Sequence, residues 1–343
     1  MSLQNNTTMN LLITGGCGFM GSNAIRYFLQ NYPAYRVLNL DALTYAGNPE
    51  NLRDVEHDSR YTFVHGRIED EGCVEKVFAE FKPDAVINYA AETHVDRSIM
   101  EPKAFLLTEI FGTYTLLEAV RKHGTSRYIQ VSTDEVYGSI EEGAFTEESC
   151  FEPNSPYSAA KAGADHLCRA YAKTYLTPVV VTHSCNFYGP SQYPEKMLAL
   201  FITNLIEGKK VPLYGDGKNV REWIFTHDHC RAIDAILQKG IVGDVYNIGT
   251  GVEIANIDLT KKVLQLMGKD EEMIEPVKDR PGHDRRYAID SSKLRALGWQ
   301  PVVPFDEGLK RTLTWYQENE GWWQRIKSGE YRAYYEQQYG EKK

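Results

Sequence analysis

The chain has 343 residues, 42% of them hydrophobic and 25% charged, so it is long enough for two domains or one large one and has ordinary globular usage. A formal net charge of −9 excludes polyanion binding through bulk charge and weighs against a nucleic-acid partner, though it leaves room for a small basic phosphate pocket. Six cysteines, at 17, 73, 150, 168, 185 and 230, form no CxxC pair and no Cys/His cluster with zinc spacing, so they read as reduced thiols of a cytoplasmic protein with no metal site. The opening MSLQNNTTMN has no apolar core and does not read as a signal peptide, and no stretch is long and apolar enough to span a membrane.

In chain order, strand-like runs are NLLITGG (10–16), YRVLNLD (35–41), YTFVHG (61–66), DAVINYAA (84–91), RYIQVST (127–133) and PVVVTHSCN (178–186). Helical patterns lie between them near 18–31, 70–81, 101–123 and 156–176. Runs such as VLNL and VVVT lack polar alternation, which is the mark of strands buried on both faces of a parallel sheet. The βαβαβ order predicts a Rossmann-type doubly wound α/β fold. Beyond about residue 185 regularity drops: a helix is expected at 194–208, a turn-rich hairpin around YGDGKN (214–219) and one more strand at 244–249, then short helices and loops rich in charge and aromatics (Trp315, Tyr316, Trp322, Trp323, Tyr331, Tyr334, Tyr335). The expected division is an NAD-binding domain over 9–184 and 224–252, interleaved with a smaller α/β substrate domain over 185–223 and 253–335.

TGGCGFMG (14–21) follows the first strand and opens a helix. Gly15 permits the tight turn, Gly18 lets backbone approach a pyrophosphate and Gly21 lets the helix sit close to the sheet, with the pyrophosphate at the helix N-terminus. Asp41 ends the second strand, where an acid holds the adenosine ribose hydroxyls and repels a 2′-phosphate, so NAD is the expected cofactor. YSAAK places Tyr157 and Lys161 four apart at the start of a helix, so both face one side. Two other Tyr-x-x-x-Lys pairs exist, but Tyr214/Lys218 lies in a Gly-rich turn and Tyr339/Lys343 at the chain end. Beside an ammonium and a cationic nicotinamide, the Tyr157 hydroxyl should ionise more easily and take a substrate hydroxyl proton.

TGxxGxxG, Ser132/Thr133, Tyr157 and Lys161 resemble the extended short-chain dehydrogenase/reductases that act on nucleotide sugars, over nearly the whole chain. In QVSTDEVYGS (130–139), Asp134 and Glu135 follow the fifth strand; both can reach one sugar ring if the strand ends at Thr133 and the chain turns. Oxidation at C4 acidifies the C5 proton and makes the C6 hydroxyl a leaving group, which calls for one ionised and one protonated carboxyl. This triplet is similar to that of the dTDP-glucose 4,6-dehydratases, as are NLDALTYAGN (39–48), AAETHVDRSI (90–99), FYGPSQYPEK (187–196) and RPGHDRRYAID (280–290).

The resemblance implies Thr133, Asp134 (acid), Glu135 (base), Tyr157 and Lys161 as the catalytic set. It implies further cofactor positions at Cys17, Phe19, Met20, Leu43, Thr44, Gly47, Ile68, Ala90 and Ala91. For the nucleoside diphosphate sugar it implies Thr93, His94, Asn186, Glu195, Lys196, Arg221, Asn256 and His283, with Arg280, Arg285 and Arg286 as weaker candidates. It also implies dTDP-glucose as substrate and a homodimer formed through a four-helix bundle by the apolar 105–120 helix and the Tyr157 helix. Arg67, Glu109, Cys185 and Phe187 depart from the family pattern, and Thr93 replaces a usual serine. An epimerase, a decarboxylase, a dehydratase for another nucleotide, or a non-catalytic NAD-binding scaffold stay open as alternatives.

Overall fold

The computed structural model describes residues 8–329; Tyr331, Tyr334, Tyr335, the Tyr339/Lys343 pair and the expected domain end at 335 lie outside them. The first half alternates β1 (Met9–Thr14), α1 (Phe19–Asn31), β2 (Tyr35–Asp41), β3 (Tyr61–His65), α2 (Glu71–Phe81) and β4 (Ala85–Asn88). A helical run then comprises α3 (Val95–Met100), α4 (Pro102–Phe105), a π-helical stretch (Leu106–Gly112) and α5 (Thr113–His123). Next come β5 (Arg127–Thr133), α6 (Pro156–Tyr175), β6 (Val179–Ser184), β7 (Asn186–Tyr188) and α7 (Met197–Ile206). The remainder is β8 (Val211–Tyr214), β9 (Val220–Phe225), α8 (Thr226–Lys239), β10 (Val245–Ile248), β11 (Glu253–Ala255), α9 (Asn256–Leu266), β12 (Ile274–Val277), α10 (Ser292–Ala296), α11 (Phe305–Glu318) and α12 (Glu320–Ser328).

Seven parallel strands form one sheet in the order β10-β6-β5-β4-β1-β2-β3, the doubly wound arrangement expected. The order reverses between β1 and β4, so the carboxyl ends of those strands open a crevice. Apolar layers cover both faces, one holding Leu11, Ile13, Ile25, Phe28 and Ile129, the other Leu12, Leu38, Phe78, Val86 and Tyr128. A third core joins α7, α9, α11 and α12 through Phe201, Val263, Leu309, Tyr316 and Trp323. The late aromatics Trp315, Tyr316, Trp322 and Trp323 pack in or against it.

Three expectations are corrected. The run 178–186 is not one strand: β6 stays in the main sheet, and β7 begins a three-stranded sheet ordered β11-β9-β7. The turn at 214–219 does not close a hairpin, because β8 pairs with β12 and β9 with β7 and β11. Residues 226–239 were not expected to be helical, yet α8 buries Cys230, Ile233, Ile236 and Leu237 against α1 and the sheet.

Candidate active site

β5 is buried along most of its length and stops at Thr133, after which Asp134–Tyr137 form a 3-10 turn. Thr133 Oγ1 accepts the Glu135 N–H at 3.3 Å and donates to Asp134 Oδ1 at 3.3 Å. The turn breaks strand alternation, so Asp134 and Glu135 line one cavity instead of opposite faces. Their surroundings differ. Burial, followed by the Glu135 and Glu222 carboxylates, pushes Asp134 well above the usual carboxylate range, which favours the protonated acid. Burial also raises half-buried Glu135, but Arg280, Arg221 and Lys196 pull against it and favour the ionised form.

Pro156 and the Ser155/Ser158 capping box start α6 and bring Tyr157 and Lys161 under the end of β5. Lys161 Nζ donates to the Val131 carbonyl at 3.2 Å and meets Glu109 Oε2 at 2.8 Å. The expected acidification of Tyr157 includes the charge of a bound nicotinamide, and the protein groups by themselves push the other way. Burial, then the Glu135 and Glu109 carboxylates, push its hydroxyl well above the usual range.

The glycine turn is built for close approach. Gly15 has φ +67°, and a Cβ there would lie 2.7 Å from the Ala90 backbone; at Gly21 it would lie 2.2 Å from the Gly15 carbonyl oxygen. Asp41 is fixed by two backbone donors, Cys17 N–H to Oδ2 at 2.8 Å and Leu43 N–H to Oδ1 at 2.7 Å. Gly15, Gly18, Phe19, Met20, Gly21, Asp41, Thr44, Gly47, Ile68, Ala90, Ala91 and Thr93 line the same cavity as Thr133, Asp134, Glu135, Tyr157 and Lys161. Cys17 and Leu43 do not line it; they act through the N–H groups given to Asp41, and burial pushes the Cys17 thiol up to about 12. The glycine-rich turn at a helix start and the immobilised acid at the end of β2 fit a dinucleotide.

Glu135, Asn186 and Lys196 also line an adjoining cavity with His94, Glu195, Arg221, Asn256 and His283. β7 supplies Asn186 and β9 supplies Arg221, so the small sheet forms one wall. Burial and the cations Lys196, Arg97 and Arg280 depress His94 and keep it neutral. Asp134 Oδ2 and Asn256 Oδ1 are buried with no hydrogen-bond partner, positions a bound polar ligand satisfies. Of the weaker candidates, Arg280 lines this cavity and pairs with Asp96 at 3.3 Å, whereas Arg285 turns to Asp216 and Arg286 to Glu253.

The chain matches the family model described as GDP-mannose 4,6 dehydratase over residues 12–312. It is 44% identical to dTDP-glucose 4,6-dehydratase 1 of Escherichia coli K12, across 96% of this chain and 99% of that one. The chain belongs to the nucleotide-sugar 4,6-dehydratase family. A second family relative, the low-salt glycan biosynthesis protein Agl12 of Haloferax volcanii, is 48% identical across 90% of this chain and 98% of its own. A dTDP-glucose 4,6-dehydratase from Streptomyces venezuelae, solved with NAD and TYD bound, superposes with a TM-score of 0.91 at 50% identity, covering 93% of this chain and 100% of that one.

Within this family framework, sequence reasoning missed Tyr214 and Asp96, which line the second cavity, and Arg97, which holds the lining residue Glu195. Tyr214, set aside as a turn residue, lines the second cavity and donates to Asp96 at 3.2 Å. Arg97 pairs with Glu195 at 3.0 Å and lies 4.0 Å over the Tyr45 ring. Both Asp96 and Arg97 sit inside AAETHVDRSI, so the signal was present in a stretch quoted for other residues. Three of the family departures, Arg67, Cys185 and Phe187, line the first cavity, with Arg67 paired to Glu69 at 2.9 Å and Phe187 edge-on to His229 at 4.5 Å.

Proposed function

We propose that the protein is a hydro-lyase that converts dTDP-glucose to dTDP-4-keto-6-deoxyglucose and water, with NAD as a resident cofactor. One observation carries this reading: two acids in contrasting environments open from the end of β5 onto the cavity shared by the Tyr157/Lys161 pair and the glycine turn. NAD, when bound along Gly15, Gly18, Gly21 and Asp41, takes a hydride from C4 of the sugar and later returns it to C6. Tyr157 takes the C4 hydroxyl proton, with Lys161 holding the ribose and favouring the phenolate. Glu135 removes the C5 proton, now α to a ketone, while Asp134 protonates the departing C6 oxygen. Glu135 then gives its proton back to C5. Over one cycle Tyr157 gains a proton and Asp134 loses one; Thr133, hydrogen-bonded to Asp134 and lining the same cavity as Tyr157, stands between them for the return.

In this reading Arg221, Lys196 and Arg280 meet the diphosphate, Arg by forked contacts, and Asn186, Glu195, Asn256, His283, Thr93 and His94 orient the rest of the substrate. The division into a cofactor domain (9–184, 224–252) and a substrate domain (185–223, 253–335) is supported by the separate core around Phe201, Val263 and Tyr316, although Ile289, Leu294 and Trp299 cross to the sheet's core. A homodimer through the 105–120 and Tyr157 helices is supported by Ile99, Met100, Leu106, Leu107, Phe111 and Tyr114, which are 38% to 57% exposed along one helical run. A cytoplasmic setting is supported by six cysteines without a disulfide. Among the described residues no helix is long and apolar enough to cross a membrane.

The test is incubation of the purified protein with dTDP-glucose and mass analysis for loss of one water. An epimerase, a decarboxylase or a scaffold leaves the mass of dTDP-glucose unchanged, and an epimerase then shows itself by a change of configuration at the sugar with no loss of water.

A further inference from the structure

Of the buried acids that the mechanism leaves unused, Glu109 meets the catalytic lysine. Glu109 is 1% exposed and lies in the π-helical stretch Leu106–Gly112. Leu106, Leu107 and Phe111 of that stretch face outward, while Glu109 and Gly112 face inward. A π-turn re-aims side chains relative to an α-helix and recurs at functional sites. Tight packing holds the stretch in place: a Cβ on Gly112 would lie 2.4 Å from Ile68, and one on Gly163 of α6 would lie 2.9 Å from Ile110.

Glu109 Oε1 accepts the Glu92 N–H at 3.0 Å. Its Oε2 meets Lys161 Nζ at 2.8 Å, a charge contact whose angle falls short of a hydrogen bond. Lys161 is 3% exposed, so this is a buried ion pair one helical turn from Tyr157. From α6, Asp165 faces Glu109 along with Lys161; from the segment after β4 comes Glu92, which itself faces Arg97, Arg67 and Glu195; from the turn after β5, Glu135 and Asp134 face Tyr157.

We propose that Glu109 is a positioning residue for the reaction: by pairing with Lys161 it restrains that ammonium and sets the pH above which Tyr157 accepts the substrate proton. The inference rests on Tyr157 as the base of the proposed function. An unpaired ammonium would favour the phenolate; a carboxylate against its other side cancels much of that effect and also repels the phenolate directly. Removing the Glu109 charge therefore makes Tyr157 ionise at lower pH.

The experiment uses the full chain loaded with NAD. In Glu109→Gln the acidic limb of the kcat/KM profile for dTDP-glucose moves to lower pH by about one unit, with NAD content and melting temperature near wild type. Glu109→Asp, which keeps the charge one methylene further away, moves the limb less. Tyrosinate absorbance, titrated with Tyr157→Phe as the blank, shows the same ordering without turnover. A limb and a tyrosinate titration that stay in place, or move to higher pH, in Glu109→Gln overturn the proposal. If Glu109→Gln does not fold, Glu109→Asn carries the same readings. A wild-type protein inert toward dTDP-glucose overturns the substrate reading instead, and the tyrosinate titration then decides the role of Glu109 by itself.

Discussion

The two ends of the active-site cleft are built on different plans. The cofactor end draws its groups from one strand–turn–helix unit and one glycine turn, all at the carboxyl edge of a seven-stranded sheet. The substrate end gathers Lys196, Arg221, Asn256, Arg280 and His283 from helix starts, a short strand and loops, and several hold ion pairs, as Arg280 does with Asp96. A regular scaffold fixes groups for chemistry; a looser one held by charge pairing suits binding. The prediction is that substitutions at the cofactor end act on turnover and those at the substrate end act on KM.

The largest effect is expected for Tyr157→Phe, which should lower kcat by about 10²–10⁴-fold while the protein still folds and holds NAD, read by steady-state kinetics and cofactor content. Glu135→Gln comes next. C4 oxidation should persist, so the near-ultraviolet absorbance of reduced nicotinamide builds up while no water is lost and C5 does not exchange with deuterated solvent. Full product at the wild-type rate would remove Glu135 from the base role. Asp134→Asn should slow water loss more than C5 exchange. It should also remove the alkaline limb of the pH profile: Asp134 is held protonated by burial and by Glu135 and Glu222, so activity falls as pH rises and that proton is lost. The smallest effect belongs to Arg221→Lys, which loses forked diphosphate contacts and should raise KM about tenfold with little change in kcat. A collapse of kcat there would break the contrast between the two ends.

Legibility in the sequence followed the same contrast. The parallel strands were readable because burial on both faces leaves continuous apolar runs, and the start of α6 was marked by PNSP before Tyr157. The break after Thr133 was inferred from the demand that two neighbouring acids reach one sugar. The small sheets were not readable, because β7 and β11 have three residues each and their partners lie far away in the chain. α8 escaped notice where its helical pattern followed a strand directly, with Phe225 as N-cap and no side-chain cap to announce it.

What the sequence by itself determined is the chemistry on offer: a glycine turn, an acid for the ribose, a tyrosine and lysine one turn apart, and two adjacent carboxyls. These depend on local spacing, which the order of residues specifies directly. Only the tertiary structure decided their electrical character. Burial of Asp134, the cations facing Glu135 and the carboxylate of Glu109 against Lys161 come from segments distant in the chain, and the field at an atom is set by every charge near it in space.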